Sequence, residues 1–213
     1  MLSHIEYTLL DPLVLDSQID TAGRIASHLR IGALCVPPYW VKKASREVAG
    51  TDIDLLTVVG FPLGYQRTEA KIAEMELAFA DGATAIEVVM NMSAFKSKRM
   101  NWIKAEIARF ANLVHAREAM LTIVTDIDML DETELEIFCK TCTDAGADYV
   151  KTSIGYPLKE ASSEQIELAI KLLPASVGIK AYTHANTLQA VESLLNRRVE
   201  KVCLSSVDFL QQQ

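Results

Sequence analysis

The sequence predicts an α/β fold, a closed (β/α)8 barrel of parallel strands. Three observations predict it. Eight short β-type runs alternate with seven amphipathic helical segments. The β-type runs are rich in Val, Ile, Leu and Thr with little polar alternation, as expected where helices cover both ends of a parallel sheet's side chains. No G-x-G-x-x-G or Walker sequence marks the nucleotide loop that often opens a doubly wound sheet.

In chain order the β-type runs are 5–9, 33–36, 55–61, 85–91, 120–126, 149–153, 178–182 and 201–205. Helical patterns lie between them near 16–29, 39–48, 67–80, 97–116, 131–145, 162–173 and 184–196. Start signals support the helices: Asp16, Asp131 and Ser162 stand at the heads of their runs, and Glu134 follows Asp131 by three residues. Eight strands and seven helices also suit an open doubly wound sheet, but eight strands in ~200 residues match the lower size limit of the barrel. The barrel is favoured, with residues 1–213 as one domain. Nothing helical fits after Ser206, so the last helix is expected to be absent or reduced to 207–213.

Composition excludes several function classes. Half of the 213 residues are hydrophobic and 23% are charged, enough for a substantial core and unlike a disordered chain. The net charge of −7 argues against a general nucleic-acid binder or a protein of anionic membranes, either of which needs a basic face. No apolar run approaches the ~18 residues of a membrane span, and Met1 to Leu10 lacks a secretory n-region, so a cytoplasmic location is expected. Cys35, Cys139, Cys142 and Cys203 are too few and scattered for a disulfide framework. Cys139 and Cys142 form a C-x-x-C late in a helical stretch, with no second pair and no histidine at ligand spacing. A zinc ribbon needs four ligands, and a thioredoxin-like pair opens a helix. Two small apolar residues on a helix face is the better reading.

In a barrel enzyme the chemistry sits where strands end. The last residues of the predicted strands include Glu87, Asn91, Asp126, Lys151 and Lys180, and charges in runs this apolar are costly unless paired or functional. Alternation puts Tyr149, Lys151 and Ser153 on one face of the sixth strand, and Gly178, Lys180 and Tyr182 on one face of the seventh. If both faces point inward, two ammonium groups share one small volume. Lowering a lysine from ~10.4 to ~7 takes ~4.6 kcal/mol. A second ammonium ~5 Å away supplies ~3.3 kcal/mol at an effective dielectric of ~20. One lysine would then be a free amine able to form a Schiff base. The competing reading pairs each lysine with an acid such as Glu87, or turns it outward.

These residues carry a resemblance. Gly146-Ala147-Asp148-Tyr149-Val150-Lys151-Thr152-Ser153-Ile154-Gly155-Tyr156 resembles the Schiff-base strand of the 2-deoxyribose-5-phosphate aldolase family. Agreement runs through Tyr7-Thr8-Leu9-Leu10-Asp11-Pro12, Cys35-Val36-Pro37-Pro38-Tyr39 and Val59-Gly60-Phe61-Pro62-Leu63-Gly64. It continues through Ile86-Glu87-Val88-Val89-Met90-Asn91, Gly178-Ile179-Lys180-Ala181 and Ser205-Ser206. The resemblance covers essentially the whole chain, in order, and its third- and sixth-strand motifs are the specific ones.

The resemblance implies a metal-free, cofactor-free class I aldolase on a (β/α)8 barrel, acting in deoxyribonucleotide and carbohydrate catabolism. It implies the reaction acetaldehyde + glyceraldehyde 3-phosphate ⇌ 2-deoxyribose 5-phosphate, and a homodimer. Lys151 is then the imine-forming amine, Lys180 the neighbouring cation that lowers its pKa, and Glu87 the proton shuttle. Cys35, Thr152, Ser153, Gly155, Ser205 and Ser206 are the implied substrate-binding residues.

Three departures stand out. The family usually has Asp where this chain has Glu87. Its first-strand motif reads His-Thr-Leu-Leu-Lys-Pro, against Tyr7 and Asp11 here. Its Gly-Gly segment after the second lysine and its closing Gly-Thr-Ser-Ser-Gly loop give way to Tyr182-Thr183-His184 and Cys203-Leu204-Ser205-Ser206-Val207-Asp208. Glycines that allow backbone N–H groups to approach a phosphate are lost, and Asp208 adds negative charge. The imine-forming end is kept while the anion-holding end is eroded. This leaves a non-phosphorylated aldol, or a catalytically silent metabolite-binding barrel, as alternative readings.

Overall fold

In the computed structural model, which describes residues 1–156 and 159–211, eight parallel strands close into a barrel. They are β1 (Ile5–Thr8), β2 (Ala33–Val36), β3 (Asp54–Val59), β4 (Ala85–Val89), β5 (Met120–Val124), β6 (Tyr149–Lys151), β7 (Gly178–Thr183) and β8 (Lys201–Leu204). Each pairs with its sequence neighbour, and β8 pairs with β1 to remove both sheet edges. The strands coincide with the apolar runs, but most end one or two residues earlier. At β3 the reason is Gly60, whose φ of 68° turns the chain out of the sheet. At β4 it is Asn91, whose side chain accepts a hydrogen bond from Ala94 N–H at 3.0 Å and starts a helix.

The helices are α1 (Asp16–Leu29), α2 (Val41–Glu47), α3 (Thr68–Ala80), α4 (Met92–Lys96), α5 (Met100–His115), α6 (Glu132–Ala145), α7 (Ser163–Leu172) and α8 (Leu188–Leu195). α6 shows how sequence fixes both ends. The Asp131 carboxylate accepts from Glu134 N–H at 2.8 Å, Glu134 accepts from Asp131 N–H at 3.1 Å, and Gly146 closes the helix at φ 88°. Its buried face includes Leu135, Phe138, Cys139 and Cys142. Both cysteines are free, and burial pushes the Cys139 thiol up to about 12. The C-x-x-C is therefore packing.

Two helical expectations change. The segment expected over 97–116 starts at Met100, after Lys98 adopts φ 57°, and α4 before it is a short helix that was not expected from the sequence. The helix expected from 184 starts at Leu188, where the Thr187 hydroxyl accepts from Ala190 N–H, because β7 runs on through Thr183. After β8 the chain makes one 3-10 turn, Asp208–Leu210, rather than a final α-helix. Gln212 and Gln213, part of the expected 207–213 remnant, lie outside the described residues.

The main core lies between barrel and helices and includes Phe110 and Phe138, each nearly fully buried. Each such side chain contributes roughly 1.5–3 kcal/mol. A second apolar cluster, Ala33, Cys35, Leu56, Val58 and Ala85, fills one side of the barrel's interior. The opposite side of that interior is charged.

Candidate active site

Strand pairing fixes which side chains meet inside the barrel. Lys151 on β6 pairs directly with Lys180 on β7, Glu87 on β4 with Val58 and Thr122, and Glu6 on β1 with Cys203. With side chains alternating between faces, these positions turn inward together. Gly178 helps set the floor: a Cβ there would lie 2.4 Å from the Tyr149 ring, so only glycine lets that ring lie across β7. The Tyr149 ring in turn supports the Lys180 ammonium, which stands 5.3 Å from its centroid.

The four charged groups form a closed square. Lys151 Nζ donates to Glu6 Oε1 and to Glu87 Oε2, each at 2.7 Å. Lys180 Nζ donates to the other two oxygens, Glu6 Oε2 at 2.9 Å and Glu87 Oε1 at 3.0 Å. All four side chains are buried, with Lys151 only 1% exposed. Two ammoniums and two carboxylates sum to zero, and every carboxylate oxygen of the square has an ammonium partner. Such pairing is what makes buried charge tolerable.

This arrangement corrects one expectation. A lysine beside a lysine was expected to shed its proton. Burial does disfavour the charged form of Lys151, but the acidic groups around it (Cys203 at high pH, Glu6 and Glu87) more than reverse that. Its pKa is held well above the ordinary lysine value. Lys180 is raised in the same way, burial again being outweighed by Glu6 and Glu87, with repulsion from Lys151 the smaller opposing effect. Burial alone would raise the Glu6 carboxyl, yet attraction to both lysines holds it far below the usual carboxylate range. The like-charge contact is real, but for Lys151 it is one repulsion against two attractions, to Glu6 and Glu87.

Glu6 was missed in the sequence. Its signal was a charge inside the apolar run 5–9, two residues before Thr8 and so on the same strand face. Thr8 marks the level above: its hydroxyl donates to Glu6 Oε1 at 3.1 Å and it lines a cavity of about 590 Å³ at the barrel mouth. That cavity is also lined by Tyr7, Asp11, Gly155, Tyr182 and Ser205. Tyr182 follows Lys180 on the same face of β7 and is 2% exposed, so its ring stands between the square and the mouth. A second cavity of about 520 Å³ adjoins the first through Asp11 and Tyr156 and is walled by Trp40, Phe61 and Pro62.

Of the implied substrate-binding residues, the structure puts Gly155 and Ser205 on the cavity wall. Gly155 has φ 70°, and a Cβ there would come within 3.1 Å of the Tyr182 ring. Cys35 is fully buried inside the barrel; burial first, then Glu87, raises its thiol well above the ordinary value. Thr152 is buried on the face of β6's continuation opposite Lys151. The Ser153 hydroxyl lies 2.9 Å from Asp126 Oδ1 and 2.6 Å from Lys159 O, and accepts from Gly155 N–H at 3.1 Å. It ties the loop after β6 together. Ser206 is exposed and donates its hydroxyl to Asp208 at 3.0 Å. Glu6, Cys35 and Glu87 present atoms close enough to one another to ligate a cation. A cation there would have to displace the ammoniums that already occupy both carboxylates.

An amine flanked by two carboxylates beneath an open barrel mouth can exchange protons while attacking a carbonyl. Comparison with known proteins shows which family the chain belongs to. The family model described as DeoC/LacD family aldolase matches residues 10–180. A deoxyribose-phosphate aldolase from Brevibacillus brevis is 38% identical over 85% of this chain and 81% of its own length. One from Bacillus subtilis is 32% identical over 95% of this chain and 90% of its own. Among solved structures, the aldolase QR15 superposes with a TM-score of 0.87 at 27% identity, covering 96% of this chain and 91% of that one. A tetrameric deoxyribose phosphate aldolase from Aeropyrum pernix, at 24% identity and a TM-score of 0.89 over 96% of this chain and 86% of that one, shares the fold. The chain belongs to the DeoC/LacD family of aldolases, carbon–carbon lyases.

Proposed function

We propose that this chain is a Schiff-base-forming class I aldolase of the 2-deoxyribose-5-phosphate type, joining acetaldehyde to glyceraldehyde 3-phosphate or reversing that step. The names of its curated relatives support the reaction. The observation that carries the mechanism is the contact of Lys151 Nζ with two carboxylates at 2.7 Å. Because Lys151 rests as an ammonium, a proton must leave before it attacks. Glu87, whose Oε2 accepts from Lys151 Nζ at 2.7 Å, is the carboxylate to which the proton-carrying role is assigned.

The steps balance in charge. Glu87 takes one proton from the Lys151 ammonium, and the amine attacks the aldehyde carbon while the carbonyl electron pair moves to oxygen. The oxygen collects the parked proton and a second one from nitrogen, again through Glu87, and leaves as water. The product iminium carries the single positive charge that the ammonium carried, so the square stays neutral. Glu87 then takes a proton from the neighbouring carbon to give the enamine, whose carbon attacks the acceptor aldehyde while the alkoxide so formed takes that proton back, and water hydrolyses the product iminium to restore the Lys151 ammonium. Lys180 stays charged throughout and balances Glu6. Its raised pKa suits this role.

The test is release of acetaldehyde from 2-deoxyribose 5-phosphate. Wild type is expected to release it, and Lys151→Ala, with its circular dichroism spectrum intact, is expected to release none. Equal activity in the two proteins would reject the proposal.

A further inference from the structure

One fully buried ammonium lies outside the square and takes no part in the aldol steps. Lys71 sits in the first turn of α3. Its Nζ donates to the Val89 carbonyl at 3.0 Å and to Glu106 Oε2, on α5, at 3.3 Å. The other Glu106 oxygen accepts from the Thr68 hydroxyl at 3.0 Å, and the ammonium stands 5.8 Å from the Phe110 ring centroid. Burial pushes the Lys71 pKa down and Glu106 only partly restores it, so the folded protein keeps this charge at a cost. An apolar side chain of the same length would carry no such cost.

The ammonium reaches the end of the strand that carries Glu87. Val89 is the last residue of β4, two positions after Glu87. The loop after β3 closes on the same carbonyl: a Cβ at Gly64 would lie 2.8 Å from Val89 O and 2.1 Å from Met90 O. A Cβ at Gly60 would lie 3.0 Å from Lys71 Cε, so glycine is what lets the lysine stem pass. Glu74, three residues along the same face of α3, accepts from Gly60 N–H at 2.7 Å. Lys71 and Glu74 together fasten α3 to the ends of β3 and β4.

We infer that Lys71 is a positioning residue for the aldol reaction: by holding the Val89 carbonyl it fixes the end of β4, and with it the Glu87 carboxylate against Lys151. The inference rests on the aldolase reading, in which Glu87 carries protons. A displacement of about 1 Å at a reacting group costs on the order of 10²-fold in rate. A clamp on the strand end therefore governs turnover without touching the substrate.

The experiment measures kcat and KM for acetaldehyde release from 2-deoxyribose 5-phosphate in wild type, Lys71→Met, Glu87→Asp and the double variant. Methionine keeps the length of the stem and removes the ammonium. In the wild-type background Lys71→Met is expected to lower kcat by about tenfold, with KM changed by less than about twofold. In the Glu87→Asp background the same substitution is expected to cost less than about threefold, because the carboxylate it aligns is already drawn back. A purely structural role predicts the same factor in both backgrounds. Where Lys71→Met does not fold, Glu106→Gln, which removes the charge holding the ammonium in place, is read by the same pair of ratios. An unchanged kcat, a rise in KM alone, or equal factors in the two backgrounds would overturn the inference and leave the aldolase reading intact. No acetaldehyde release by wild type, together with no borohydride-trapped adduct, would overturn both.

Discussion

Glu6 and Lys151 lie 145 residues apart in the chain, and their side chains meet inside the barrel with Oε1 and Nζ 2.7 Å apart. Closure of β1 against β8 makes the meeting possible, since it brings the first strand round to the side that holds β6 and β7. Lys151 is thus held as much by the first strand as by its lysine neighbour. A buried pair of ammoniums alone favours loss of a proton; the same pair interleaved with two carboxylates stays charged.

Replacing Glu6 with Gln leaves two ammoniums against one carboxylate. Removal of one member of a buried pair costs about 3–5 kcal/mol, so urea denaturation should show a lowered midpoint. The same change lowers the Lys151 pKa, so the rise of imine formation with pH should move to lower pH. An unmoved profile would place Glu6 outside the proton circuit.

Acid should unfold the protein through the same square. The Glu6 carboxyl is lower in the folded state than in the unfolded one. Its contribution is therefore present above the unfolded value of about 4.3 and is lost as pH falls towards the folded value. The lysines are raised on folding, so theirs is present below about 10.4 and is lost only as pH rises through the folded values. Denaturation midpoints measured across pH should hold a plateau between these limits and fall on the acid side. A maximum confined to acid pH contradicts this.

Shortening Glu87 to Asp draws the carboxylate back from both ammoniums by about 1 Å. A displacement of that size costs on the order of 10²-fold in rate. We expect kcat to fall by about that factor, with KM changing far less, in steady-state acetaldehyde release. A fall in affinity alone would show that Glu87 binds substrate and does not carry protons.

Gly155→Ala tests the wall of the cavity. The backbone there has φ 70° and the added methyl would meet the Tyr182 ring at 3.1 Å. A cost of about 1–2 kcal/mol is expected from the left-handed conformation, seen as a lower midpoint in denaturant. Pressure on Tyr182 should also raise KM. Unchanged KM would separate this loop from the substrate path.

Much of the fold was legible because each strand is buried on both faces and each helix on one, which leaves distinct periodicities in the sequence. Ends were less legible. Lys98, a residue with no turn bias, takes a positive φ and delays α5 to Met100, and β7 runs one residue past its expected end, to Thr183. At the candidate site, Lys151, Lys180 and Glu87 stood out as charges at the ends of apolar runs. Glu6 carries the same mark on β1, but its partnership depends on barrel closure, a contact no local pattern encodes. For that reason the sign of the Lys151 shift could not be read from neighbouring strands alone.

Peptide mapping of the adduct formed with acetaldehyde and borohydride tests the central claim most directly. The account predicts an ethyl group on Lys151 alone, formed faster as pH rises, and absent from Lys151→Ala. Modification of Lys180 in place of Lys151, or no adduct at any pH, would contradict it.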